Sequence, residues 1–189
     1  MGILRVYWQA ARHVNQRGYI YVWANMLWAL MSLPIITAPA AWAGLVHLSH
    51  VAQTQQQVSM SDFWDGFRAS FWRGLVVGFI TLIVLAVNLT NLVVYAPGEG
   101  LGAFALRVVW ISAVIVWLSI LLYLWPLLEE METPSLPVGL RNAALMLLRH
   151  PFFTLGLWPG IVLLAVVSTI FFPAWMLLTG SFIAALSTT

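Results

Sequence analysis

Apolar residues come in six blocks along this chain, at 18–34, 38–51, 74–95, 101–127, 151–171 and 174–188. Each is dominated by Leu, Val, Ile, Ala and Trp. The three longest pass the roughly 20 residues that a helix needs to cross a bilayer. The pair Leu33-Pro34 closes the first block, because Pro lacks an N–H and disfavours helix in the residue before it. Thr37 is placed to cap the second. These two blocks fall short of a full span, so they are expected to tilt little or to form a shallow hairpin. Gln53-Thr54-Gln55-Gln56-Gln57 is a polar linker, and Ala96-Pro97-Gly98-Glu99-Gly100 is a tight turn. A kink is expected near Pro159, and Phe172-Pro173 turns the chain into the last block.

Three shorter stretches carry helical rather than uniform apolar periodicity. In residues 3–16, Ile3, Tyr7, Ala11 and Val14 share one face, with Arg5, Gln9, Arg12 and Gln16 opposite. In 61–73, Phe63, Phe67 and Phe71 align with Trp64; Asp62 and Asp65 suit the N-terminus, and Arg68 and Arg73 the C-terminal end. In 137–149, Pro137 suits the first turn after Ser135, and Arg141, Asn142 and Arg149 form the polar side. Helices of this kind are expected to lie in the membrane interface; the alternative is that they extend the following helices into water. The plan of an amphipathic opener followed by an apolar hairpin thus occurs three times.

Composition turns the pattern into a class. Of the 189 residues, 62% are hydrophobic and 7% charged, against the roughly 25% charged usual in soluble domains. All eight basic residues are Arg, and seven of them (Arg5, Arg12, Arg17, Arg68, Arg73, Arg141 and Arg149) lie outside the long apolar blocks. Six crossings put those seven on one side; reading 19–52 as a single broken crossing, a five-span chain, would divide them between two sides. The positive-inside tendency therefore favours six, with both termini cytoplasmic. The expected fold is an all-α integral membrane protein, one polytopic domain over residues 1–189, with about six transmembrane segments (five possible) and three amphipathic interfacial helices. The first apolar block is read as a membrane helix, although Arg residues before it and small residues after it also fit a signal peptide. Val6 stands where a myristoylation signal needs Ser or Thr. The basic excess faces lipid, the expected partner alongside a membrane protein, and does not call for nucleic acid.

Candidate chemistry is sparse. No Asp or Glu falls within a predicted span, which argues against a proton-coupled pump or a paired-aspartate protease. Absence of Cys excludes disulfides and thiolate chemistry. Ser181 has no His or other base in a neighbouring span, so no catalytic residue is assigned. Arg107 is the one charge inside a span; it is read as reaching for the outer interface, with Glu99 or a lipid headgroup as alternative partners. Asn88, Asn91 and Thr81 fall on one face of the third span, and Ser112 and Ser119 on one face of the fourth, so the two helices are expected to hydrogen-bond through these stripes. The alternative is a water-lined path. His47 and His50 lie one turn apart, at the depth expected for His13 and His150. They are the candidates for holding a pigment, haem or quinone, and interfacial anchoring is the plainer reading. No metal site is assigned. Gly74 with Gly78, and Gly156 with Gly160, have close-packing spacing. Eleven Trp residues divide between the interfaces and deeper positions such as Trp28, Trp117 and Trp158.

Three stretches carry a resemblance. Asn25-Met26-Leu27-Trp28 through Ser32-Leu33-Pro34 and Thr37-Ala38-Pro39-Ala40 is the first. The second is Phe63-Trp64-Asp65-Gly66-Phe67-Arg68 with Phe71-Trp72-Arg73, and the third Leu140-Arg141-Asn142-Ala143-Ala144-Leu145 with Arg149-His150-Pro151. Together they resemble the YesL-like family of bacterial membrane proteins, whose function is unassigned; this chain departs from it in lacking Lys and in carrying more Trp. The resemblance implies a polytopic protein of the bacterial inner membrane and transfers no catalytic residue. The expected function is a non-enzymatic accessory or assembly subunit. The alternatives are a transport component for a neutral solute such as a saccharide, and a subunit of an energy-transducing complex contacting pigment or quinone.

Overall fold

The structure, a computed structural model, describes residues 3–16, 18–55, 57–95, 98–170 and 179–188. Its helices are α1 (Ile3–Gln16), α2 (Gly18–Ser32), α3 (Ala38–Thr54), α4 (Met60–Tyr95), α5 (Leu101–Glu129), α6 (Leu136–Arg149), α7 (Pro151–Ile170) and α8 (Gly180–Thr188). Among the described residues there is no strand. Arg17, the expected turn at Phe172-Pro173 and Trp175 lie outside the described residues, as does the side chain of His13.

The fold is organised around α3. Ala40, Ala41, Ala43, Gly44, Leu45, Val46, Leu48, Ser49, Val51 and Ala52 are all buried there, and α2, α4, α5 and α8 pack around it. Small residues make this possible, because they let backbones approach where lipid supplies no hydrophobic drive for association. The α3–α4 seam shows how close. A Cβ on Gly74 would lie 2.7 Å from the Ala40 nitrogen, and one on Gly78 would lie 2.9 Å from the Pro39 ring. A Cβ on Gly66 would overlap the His47 side chain. The Gly74–Gly78 spacing read from the sequence is therefore a true packing face, and Gly66 and Gly44 extend it.

The expected opener at 61–73 and the span at 74–95 are one continuous helix of 36 residues. No Pro separates them, and a single Gly costs only about 1 kcal/mol in a helix, too little to end one that is packed along its length. The other openers are separate helices. Pro151 cannot continue α6, and α7 leaves it at 96°. In α1 the buried stripe is Val6 and Ala10, with Tyr7 half-buried, while Arg5, Trp8 and Arg12 are exposed.

The six expected crossings are not supported. Among the described residues two helices, α4 and α5, are long and apolar enough to cross a membrane, and the bent pair α6–α7 would make a third. At 15 and 17 residues, α2 and α3 extend about 22 and 25 Å, short of the ~30 Å hydrocarbon thickness. Their shared turn does not reach the far end of α4 either. Pro39 lies against Gly78, and α4 runs on to Tyr95, about 25 Å farther at 1.5 Å per residue. The nine residues of α8 return among α1, α2 and α3.

The two turns of the fold differ in kind. Between α4 and α5, Gly100 takes φ +104°, a conformation that suits glycine, beside exposed Gly98 and Glu99. Between α2 and α3 the exposed residues are Leu33, Pro34, Ile35 and Ile36. Much of the backbone of this apolar turn is bonded locally: the N–H groups of Leu33, Ile35 and Ala38 donate to Leu30, Ser32 and Ile35, and the Thr37 hydroxyl donates to the Met31 carbonyl. Ile35 sits at φ 59°, a left-handed conformation that costs a β-branched residue roughly 1–2 kcal/mol.

Candidate functional site

The end of α3 meets the end of α5. Their helices bring His47 and His50, one turn apart, against the adjacent carboxylates Glu129 and Glu130. His47 Nδ1–H donates to Glu129 Oε2 at 2.6 Å, and His50 Nδ1 lies 3.6 Å from Glu130 Oε1. The hydrogen bond to Glu129 raises the His47 pKa; burial opposes this, and the charges of Glu129, Asp62 and Asp65 add to it. Both imidazoles are thus engaged by protein carboxylates. Among the described residues no three His, Cys, Asp or Glu side chains gather as a metal-holding group. His150 is exposed and stands apart from this pair, on the α6–α7 bend.

Beside the clasp, a cavity of about 300 Å³ opens between α1, α5, α6, α7 and α8, with His50 and Glu130 on its wall. Tyr7, on α1, closes one flank by donating to the Leu157 carbonyl at 2.6 Å. Burial pushes the Tyr7 phenol above its ordinary value and keeps it a donor. A second cavity, about 330 Å³, lies higher on α4 and α5 and is lined by Trp28, Trp42, Trp125, Pro39, Val77 and Thr81 among others. Trp28 and Trp42 meet edge to face with ring centres 5.9 Å apart. Trp28, Trp42 and Trp125 therefore wall a largely apolar space, and the hydroxyls of Ser32 and Thr81 are spent on helix carbonyls one turn earlier.

The expected polar stripes on α4 and α5 do not pair as stripes. Asn88 and Asn91 donate to Val84 and Val87 of their own helix, each at 2.7 Å. Ser119 donates to Ile115, and Ser112 is exposed. The cross-helix bonds come from indoles instead. Trp117 Nε1–H donates to Thr81 on α4 at 3.2 Å, and Trp158 Nε1–H on α7 donates to Ser119 at 2.8 Å. Seven residues farther along α4 from Thr81, and seven back along α5 from Trp117, stand Asn88 and Trp110. Asn88 Oδ1 and Trp110 Nε1 are buried and have no hydrogen-bond partner among the described residues. Arg107 reaches the turn, donating to the Gly98 carbonyl at 2.7 Å.

A buried polar chain joins α2, α3 and α8, and sequence reasoning missed it. Asn25 Oδ1 accepts from the Ser181 N–H at 2.8 Å, and the Ser181 hydroxyl donates to the Tyr21 carbonyl at 2.6 Å. Tyr21 and Ser49 hydroxyls lie 3.4 Å apart, Ser49 and Thr188 hydroxyls 3.1 Å, and Gln53 donates to Thr188 at 2.6 Å. Ser181, isolated in the sequence from any base, is a helix-docking residue. One signal was present: Asn25 is the only amide in the apolar block 18–34, and a buried amide needs partners. Glu129 and Glu130 were also missed as partners of His47 and His50, although both pairs abut polar linkers.

A family model described as "Protein of unknown function, DUF624" matches residues 21–92. The chain is similar to that family over this stretch. The match takes in most of α2, the apolar turn, all of α3 and nearly all of α4, so it covers the Gly seam, the turn at Ile35, and His47 and His50. It stops before Glu129 and Glu130. No curated protein and no solved structure matches the chain.

Proposed function

We propose that this chain is a non-enzymatic accessory or assembly subunit of the bacterial cytoplasmic membrane, and that it holds a membrane-protein partner against the far half of the α4–α5 hairpin. The observation that carries this reading is the surface of that half. Beyond Gly78 the two helices present exposed apolar residues such as Phe79, Leu82, Leu89, Phe104, Val109 and Val116, which lipid alone would cover. Within that surface stand the exposed hydroxyls of Thr90 and Ser112. Hydroxyls on a membrane helix mark association faces, because a neighbouring helix can bond them and lipid tails cannot.

The Arg residues favour a sidedness. Arg68 and Arg73 on the first half of α4, and Arg141 and Arg149 on α6, flank the end of α5 that carries Glu129. Arg107 lies by the opposite turn. The positive-inside tendency then makes the clasp end cytoplasmic, with α1 and the end of α8 on the same side. In this topology the α2–α3 hairpin enters and leaves from the cytoplasmic side. Its uncharged turn and internally bonded backbone suit a tip held in hydrocarbon. The stretches at 25–40 and 63–73 that resemble YesL-like proteins fall within the family match, and that resemblance supports the reading of a bacterial inner-membrane protein.

A photo-reactive residue at Ser112 or Thr90, activated in intact cells, is expected to capture one discrete protein; the same probe at exposed Phe152 is not. Lipid adducts alone at all three positions, with a solitary particle after mild extraction, would refute the subunit reading. Topology is checked separately by cysteine labelling with an impermeant maleimide, on a chain with no native Cys. Glu99→Cys should label from outside, and Ile35→Cys should resist from both sides until the membrane is dissolved.

A further inference from the structure

The α6–α7 bend creates a compartment that neither the helix packing nor the proposed partner face accounts for. Its inner chamber is the cavity of about 300 Å³ beside the clasp, walled by Val6, Leu122, Phe153, Leu157 and Leu186. Its outer chamber, about 480 Å³, is lined by Asn142, Leu145, Arg149 and His150. Leu127 and Met146 line both chambers, so the two adjoin across a common throat. The volumes fall in the roughly 300–1,000 Å³ range of small-molecule sites.

Polarity is graded through this compartment. The inner chamber is walled largely by apolar side chains, with Tyr123, Ser187 and Thr188 among its lining and Glu130 facing His50 at 3.6 Å on its wall. Among the described residues, Arg149 pairs with no carboxylate. It lines an open chamber together with an amide, Asn142, and an imidazole, His150. A guanidinium matches the fork geometry of phosphate, and Asn and His add donors.

We propose that this compartment binds an anionic amphiphile: a phosphate-bearing headgroup at Arg149, His150 and Asn142, and one acyl chain passing Leu127 and Met146 into the inner chamber. The site lies at the Arg-bearing end of the fold, where the headgroups of an anionic leaflet are at hand. The ligand is a single lipid held in a defined place, distinct from the lipid that surrounds any membrane helix. The proposal does not depend on the protein partner.

The test uses the full chain in mild detergent, stripped of lipid, then supplied with phosphatidylglycerol, phosphatidylcholine or soluble glycerol phosphate. Native mass spectrometry and melting temperature are the readouts. Phosphatidylglycerol is expected to remain as a one-to-one adduct and to raise the melting temperature; the other two are not. Arg149→Gln, at an exposed position, should lower retained phosphatidylglycerol about tenfold, the loss of one charge-assisted contact. Met146→Trp, which blocks the throat and leaves the headgroup contacts intact, should lower it as well. Arg68→Gln, away from the compartment, should leave it unchanged. Equal retention of phosphatidylcholine, an equal effect of glycerol phosphate, or wild-type retention by Arg149→Gln would overturn the proposal.

Discussion

Replacing Gly74 with Ala probes a backbone-to-backbone contact of the α3–α4 seam. The added Cβ would lie 2.7 Å from the Ala40 nitrogen and 2.8 Å from its Cα, both backbone atoms that no rotamer can move aside. Carbon atoms pack best at about 3.5–4.0 Å, so α3 and α4 must separate by roughly 0.7 Å or more. That movement loosens Gly66 from His47 and Gly78 from Pro39 along the same seam. Overpacking of this kind costs about 1–3 kcal/mol, while Gly→Ala in a helix returns up to about 1 kcal/mol. The net expectation is a loss of about 1 kcal/mol, growing with Gly74→Val. Gly102 in α5 is the control, because no atom lies within 4 Å of its Cβ position; Gly102→Ala should be neutral or gain a fraction of a kcal/mol. Melting of the purified variants in one detergent, followed by Trp fluorescence, gives the comparison. If Gly74→Ala and Gly102→Ala shift the midpoint equally upward, α3 and α4 do not approach as described.

Other substitutions separate the remaining contacts. Glu129→Gln should destabilise most at low pH: the raised His47 pKa gives stability that is fully present below the ordinary value of 6.5 and is lost as pH rises through the folded value. The midpoint gap between wild type and Glu129→Gln, measured from pH 5.5 to 8.5, should therefore narrow; a widening gap would contradict the clasp. Asn25→Ala leaves the buried Ser181 N–H without its side-chain acceptor, at a cost of about 1–3 kcal/mol, and limited proteolysis should show α8 released first. Unchanged cleavage would mean that α8 is held by other contacts. Asn88→Leu removes a buried oxygen that lacks a partner, and should leave the melting midpoint unchanged or raise it; a clear drop would show that the oxygen is bonded.

Local rules read most of the helices and few of their partners. The periodicity over 3–16 and 137–149 and the apolar run from Leu101 end within a few residues of α1, α6 and α5, because Pro, Gly and polar linkers bound them. The fusion of 61–73 with 74–95 is the alternative reading of that opener, and amphipathicity alone does not select it. The change from amphipathic to uniformly apolar at Arg73-Gly74 looks like a boundary in one dimension and is a continuous rod in three. The number of crossings failed for a similar reason: apolarity reports that α2 and α3 avoid water, and only their placement beside Gly78 tells how far they reach. His47 and His50 were visible as a pair. Glu129 lies 82 residues farther along the chain than His47, and nothing short of the tertiary fold brings the two to 2.6 Å. Trp117 and Trp158 were visible as deep Trp residues, but not the partners of their N–H groups, Thr81 and Ser119.

The bond between Asn25 and Ser181 also sets a schedule for biosynthesis. The two residues are 156 positions apart, so the ribosome makes the acceptor long before the donor. At about 5–20 residues per second the interval is roughly 8–30 s. Throughout it the Asn25 oxygen and the Tyr21 carbonyl lack the groups that later meet them, and the slot between α2 and α3 stands open within the membrane. A nascent chain in that state offers a polar groove to insertion factors and quality-control proteases alike. Arrival of α8 closes it, so translation that stalls before Ser181 should yield chains that are inserted yet short-lived.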